Sequence, residues 1–149
     1  MIQKVKCFFA LSSEEKRLFL EAFIALGFMR VVMLTISFKR LTRALYHSKE
    51  KIKQDTLTDQ QLHSAQLVGT VITQAAHNTP WESACLAQAL TAQRMLKKRN
   101  IPGVFYLGVM KGKGANEKME AHAWSQCGET IITGGSGHEA FTILSVFVW

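Results

Sequence analysis

Cysteine, proline and tyrosine are scarce in this 149-residue chain, at three, two and two residues. The three cysteines, Cys7, Cys85 and Cys127, are an odd number with no Cys-x-x-Cys spacing, which argues against a disulfide framework and a dithiol redox motif and suits a reducing compartment. No metal-ligand pattern is present either. His122 and Cys127 are five apart, which directs them to opposite faces of a regular strand, and His77 and His138 add no ligand spacing, so neither a metal nor another cofactor is expected. The stretch from Met1 to Ala10 has two lysines but no small-residue cleavage site after a clear apolar core, so a cleaved signal peptide is not expected and the cytoplasm is the expected location. Acidic residues are also in deficit, 11 against 18 Lys and Arg, for a formal charge of +7. Such a charge attracts phosphate, yet the cations fall in short groups (Lys39, Arg40, Arg43; Lys97, Lys98, Arg99; Lys111, Lys113) with no interleaved aromatic ladder. They read as solvated helix ends and a loop, and nucleic acid is not an expected partner.

What the chain does have is apolar content, 48%, enough for a continuous core in one domain spanning residues 1–149. Ser12 and Glu15 have capping-box spacing, which starts a helix near Ser13. From Leu18 to Phe38 the sequence is apolar on nearly every face. Its twelve Leu, Ile, Phe and Val residues favour bilayer insertion by about 4 to 7 kcal/mol, and Glu21 and Arg30 oppose it by about 5 to 7 kcal/mol. The terms nearly cancel; a buried helical hairpin or an oligomer surface is the preferred reading, with membrane contact the alternative.

A polar, lysine-rich break from His47 to Leu57 separates this N-terminal segment, residues 1–57, from the remainder, residues 58–149. Thr58 and Gln61 give a second capping box, for a helix ending near His77. Thr79-Pro80-Trp81-Glu82 repeats the device with proline at the first helical position and predicts a third helix to about Arg99, stopped by Asn100-Ile101-Pro102-Gly103. Beyond Gly103 the pattern turns extended: Val104 to Met110, Met119 to Gln126, Thr130 to Thr133 and Phe141 to Trp149. Gly112 to Asn116 reads as a flexible loop and Gly128-Glu129 as a tight hairpin turn. Helices first and an antiparallel sheet second make an α+β fold.

Two residues invite chemistry. Cys85 lies in the first turns of the third helix, where free N–H groups and the helix dipole stabilise a thiolate. A helix start at Thr79 puts it in the second turn; a start at Ser83 puts it in the first, with its own N–H open to an oxyanion. The bland alternative is a packed cysteine among Ala84, Leu86, Ala89 and Leu90. His122 sits in Glu120-Ala121-His122-Ala123-Trp124, where alternation sets His122 and Trp124 on one face and the two alanines on the other. Small neighbours let a helix pack close, and an imidazole beside a thiol makes an activated nucleophile. A lone strand histidine is otherwise a satisfied structural group. Cys7, beside Phe8 and Phe9, and Cys127, beside a hairpin turn, have no predictable base.

The order Trp81-Glu82-Ser83-Ala84-Cys85-Leu86, Asn100-Ile101-Pro102, Gly108-Val109, Ala121-His122-Ala123-Trp124 and Gly134-Gly135 resembles the transglutaminase-like core of lasso-peptide leader peptidases, over roughly residues 78 to 146. The resemblance implies a catalytic helix packed on a small antiparallel sheet, Cys85 as nucleophile, His122 as base, and hydrolytic removal of a leader from a ribosomally made precursor peptide. It implies as partners a separate leader-recognition domain, of which this chain has no copy, and an ATP-dependent cyclase. The family's third catalytic position, commonly an aspartate, falls near Thr133 or Gly134, where no carboxylate stands. A regular hairpin about Gly128-Glu129 sets Thr133 opposite Trp124 and Gly135 opposite His122, so the Thr133 hydroxyl or a backbone carbonyl is the expected orienting group, with Glu139 the nearest later carboxylate. Trp81 either walls the site and lends its indole N–H to an oxyanion or is a partly buried ring. The same pair would serve acyl transfer to an amine, and the missing carboxylate leaves room for a non-catalytic peptide-binding module.

Overall fold

A computed structural model of the chain describes residues 12–44, 57–112 and 118–149. Cys7, most of the polar break from His47 to Leu57, and most of the loop from Gly112 to Asn116 lie outside the described residues. Helix α1 (Ser13–Thr35) begins at the expected capping box: the Glu15 carboxylate accepts from the Ser12 N–H at 2.8 Å and the Ser12 hydroxyl accepts from the Glu15 N–H at 3.2 Å. A short α2 (Phe38–Ala44) follows. Helix α3 (Asp59–Ala76) starts at the second capping box, Thr58 with Gln61, again with both hydrogen bonds formed.

Helix α4 (Cys85–Lys97) starts later than the Thr79-Pro80 pattern predicts. The cause is local: the Thr79 hydroxyl lies 2.9 Å from two carbonyl oxygens it can donate to, Ala76 O in the preceding turn and Trp81 O just after it, and it also meets the Ser83 hydroxyl at 2.8 Å. It therefore closes the loop between α3 and α4 instead of capping a helix. α4 is the central helix, with Ala87, Ala89, Leu90, Thr91, Ala92, Met95 and Leu96 all buried. Asn100, in the left-handed conformation at φ 54, ends the helical region.

The sheet comprises β1 (Val104–Lys111), β2 (Met119–Cys127), β3 (Thr130–Thr133) and β4 (Thr142–Val148), with a 3-10 turn at His138–Ala140 before β4. The spatial order is β3-β2-β1-β4, antiparallel throughout. The expected α+β architecture, helices followed by a small antiparallel sheet, is what the chain forms.

Two clusters hold the helices to the sheet. One joins Leu18, Ala22 and Leu26 of α1 with Val68, Val71 and Ile72 of α3, Met95 and Leu96 of α4, and Cys127 and Ile132 of the sheet. The other joins Ala89 and Leu90 of α4 with Phe105, Ala123 and Phe147, the two phenyl rings stacked at 4.9 Å across paired strands. Fully burying each large side chain contributes about 1.5 to 3 kcal/mol, so these clusters outweigh the surface pairs. Close contact of α3 with β3 needs Gly69, because a Cβ there would run into the Ile132 carbonyl. One ion pair ties α1 to the end of α4: Glu21 Oε2 accepts from Arg99 at 2.7 Å, with Lys98 at 3.3 Å from Oε1. The Arg99 guanidinium holds the Glu21 carboxyl below its ordinary range.

α1 is only half of what the buried-hairpin reading requires. Leu18, Ala22, Ala25 and Leu26 are buried, while Leu20, Ile24, Phe28, Val31 and Leu34 are more than half exposed.

Candidate active site

Cys85 is the first residue of α4, after the N-cap Ala84, whose carbonyl accepts the first helical hydrogen bond from Gln88 at 3.1 Å. Ala84 has no side-chain cap, so the N–H groups of the first turn, that of Cys85 included, have no acceptor among the described residues. The helix starts later than either position weighed above, two residues past Ser83, and Cys85 is in its first turn. Its side chain is half-buried and packs on the cluster containing Leu90, Phe105 and Ala123.

His122 is half-buried on β2, paired with Gly108 of β1. The alternation expected of its strand is present. Ala123 faces the α4 cluster, while the His122 ring lies 5.9 Å from Trp124 and 5.0 Å from Phe141 on the other side. Gly108 makes room there, since a Cβ would press on Phe141 and the Trp124 ring.

His122 Nε2 lies 2.7 Å from the Gly134 carbonyl oxygen. A carbonyl only accepts, so Nε2 carries the proton in this contact and Nδ1 is left with a free lone pair. Nδ1 has no hydrogen bond among the described residues. This is the tautomer a base needs, held by a dipole in place of a carboxylate.

Thr133 does not fill the orienting position. Its hydroxyl is buried and bonded to the Ser125 hydroxyl at 2.8 Å. The reason is one extra residue in β3: Gln126 pairs with Ile131, but Ser125 pairs with Thr133, so Ile132 is bulged and every later residue moves by one place. That shift turns Thr133 toward Ser125 and brings the Gly134 carbonyl to the imidazole. A regular hairpin, as assumed from the sequence, hides the bulge. Glu139 is exposed, with Oε1 3.5 Å from His138 Nδ1.

Trp81 precedes α4 in the loop, and its ring packs edge-on against Phe23 at 5.3 Å and over Gly27 of α1. Its indole nitrogen is buried and has no acceptor among the described residues. His138, given no role by sequence reasoning, stands 5.6 Å from Trp124 and its Nδ1 meets the Gly135 carbonyl at 2.6 Å. The imidazole is thus surrounded by Trp124, Phe141 and the Gly134 backbone; Trp124 had a signal in the sequence through its spacing of two from His122, a backbone carbonyl was one of the expected orienting groups, and Phe141 had no signal.

Among the described residues no hydrogen bond joins Cys85 to His122. Helix α4 and strand β2 pack together, and Ala123, next to His122, shares a cluster with Cys85, but the sulfur and the imidazole are not paired. No group of three or more metal-ligating side chains occurs among the described residues. Cys127 is fully buried, and desolvation pushes its thiol up to about 12, which makes it unreactive.

Residues 28–146 match the family model of the transglutaminase-like superfamily. The chain belongs to that superfamily. The match begins inside α1, so the superfamily's domain takes in helical structure well before the segment that carries the cysteine and histidine. Transglutaminase-like domains have the fold of cysteine proteases and acyltransferases, and α4 on a four-stranded antiparallel sheet is consistent with that core. No curated protein and no solved structure matches the chain.

Proposed function

We propose that the protein is a cytoplasmic cysteine peptidase that removes the leader from a ribosomally made lasso-peptide precursor, with Cys85 as nucleophile and His122 as base. The observation that carries this reading is the place of Cys85: first residue of α4, inside the span matched to the superfamily, with unbonded N–H groups around it. The Cys85 sulfur attacks the carbonyl at the leader junction, and the negative oxygen that forms is met by the helix-start N–H groups. His122 Nδ1 takes the thiol proton and returns it to the departing amine as the C–N bond breaks. Water then adds to the thioester, and the leader leaves as a carboxylic acid with the thiol regenerated.

Because His122 and its neighbour Ala123, which shares a cluster with Cys85, face opposite sides of β2, the mechanism requires a rearrangement on substrate binding that brings Sγ and Nδ1 within about 3 to 4 Å. Precursor capture falls to a separate leader-recognition domain, and ring closure of the released core to an ATP-dependent cyclase.

The test mixes precursor, recognition domain and this chain and weighs the products. Leader release that disappears in Cys85→Ala and His122→Ala supports the proposal. Retained precursor binding with no cleavage by the wild-type chain replaces it with a non-catalytic peptide-binding module. A product carrying an added amine in place of water replaces it with acyl transfer through the same residues.

A further inference from the structure

The exposed face of α1 presents a stripe of Leu20, Ile24, Phe28, Val31 and Leu34, continued by Ile36, between 40% and 70% exposed. From Leu20 to Leu34 it runs about 21 Å along the helix. The Thr35 hydroxyl beside it donates back to the Val31 carbonyl at 2.8 Å. A face of this size is not an ordinary monomer surface. Its five positions from Leu20 to Leu34 carry no hydrogen-bonding side chain that would set a protein partner's register.

Cations border it. Arg17 stands at its start, and the Arg94 guanidinium lies over the Phe28 ring at 5.3 Å. With Lys98 they flank an open groove floored by Leu20, Ile24 and Phe28. Neither Arg17 nor Arg94 has a carboxylate partner among the described residues, and Glu21, the one acidic group in the groove, is already bound by Arg99 and Lys98. Past the end of the stripe, α2 carries exposed Arg40 and Arg43. The border is therefore positive, which complements an anionic surface.

α1 is long and apolar enough to cross a bilayer. Its opposite face, however, is part of the core with α3 and α4, so spanning would strip Leu18, Ala22 and Leu26 from the clusters that hold the fold. Lying in the plane of a bilayer keeps that face packed and buries the other. We propose that the α1 stripe rests in the interface of an anionic lipid bilayer, with the bordering arginines on lipid phosphates.

The test is co-sedimentation of the full chain with vesicles of phosphatidylcholine alone or mixed with phosphatidylglycerol, at low and high salt. The wild type is expected to pellet with the anionic vesicles and to be released by salt. Ile24→Gln/Val31→Gln/Leu34→Gln is expected to weaken binding more than about tenfold at an unchanged circular-dichroism spectrum. Arg17→Gln and Arg94→Gln each weaken it about fivefold. As a measure that does not depend on disrupting the stripe, the added fluorescence of Leu34→Trp is quenched by brominated acyl chains. The proposal is overturned if the wild type stays in the supernatant or binds neutral and anionic vesicles equally. It is overturned too if the triple variant pellets normally, if the Trp escapes quenching, or if the stripe proves to pair two copies in a dimer that the triple variant dissolves.

Discussion

The two ends of the contact between α4 and β2 each present a cysteine, and they differ in every property that matters for reactivity. At the start of α4, Cys85 is half-buried beside unbonded backbone N–H groups and packs on the cluster that contains Ala123, the strand neighbour of His122. At the far end, Cys127 sits among Leu96, Ile101 and Ile132, fully buried, its thiol raised to about 12. One helix–strand contact thus leaves the sulfur on the helix available for chemistry and makes the sulfur on the strand a piece of core. Solvent access and the open end of a helix decide which.

The sharpest way to break this comparison is to exchange the cysteines' fates. Cys85→Ala is expected to lower leader release by on the order of 10⁴-fold or more, while Cys127→Ala leaves it within about twofold and costs stability instead, about 1 kcal/mol. Turnover with precursor and denaturant midpoints measure the two losses, and peptide mapping after iodoacetamide should find Cys85 alkylated in the native protein and Cys127 only after unfolding. Equal losses from both variants would remove the distinction.

A second effect concerns the carbonyl that holds His122. Gly134 has φ 72, and a Cβ there would collide with the Ala123 carbonyl, so Gly134→Ala is expected to destabilise the protein by about 1 to 3 kcal/mol. Because the strain acts at the orienting carbonyl, leader release should fall further than the loss of folded protein accounts for. By the same geometry Gly134→Asp does not supply the carboxylate that the resemblance implies, as the side chain has no room to start. A fully active Gly134→Asp enzyme would show that the carbonyl does not orient the ring.

The Cys127 end has its own pH signature. Its folded pKa is raised from 9.0 to about 12, so the unfolded chain loses this proton first as pH rises. The stabilisation is complete below about pH 9 and is lost progressively as pH climbs toward 12, and Cys127→Ala should flatten that part of the stability profile. Denaturant titrations of both proteins across that range would check it. The smallest expected effect is that of Glu21→Gln, which removes the α1–α4 ion pair. The pair is partly solvent-exposed, so the loss is below about 1 kcal/mol near neutral pH. Its sign is opposite to that of Cys127: a depressed carboxyl contributes above its unfolded pKa and stops contributing as pH falls through the folded value.

Much of this was readable along the chain. Both capping boxes, at Ser12 with Glu15 and at Thr58 with Gln61, formed as spaced, and Thr130–Thr133 is a strand with the bounds its composition suggested. These are local interactions, closed within four residues, and they need no knowledge of the fold. The start of α4 was not readable in the same way. Thr79 has the composition of a cap, but its hydroxyl found the end of α3 and Ser83 first.

Sequence alone determined the helix-then-sheet order and the apolar character of α1, because composition and periodicity carry these directly. Tertiary structure decided the rest. It chose which face of α1 is core and which is bare, and by a single bulged residue at Ile132 it gave Thr133 to Ser125 and the Gly134 carbonyl to His122. Register and facing depend on what packs against a segment, and that partner is distant in the chain.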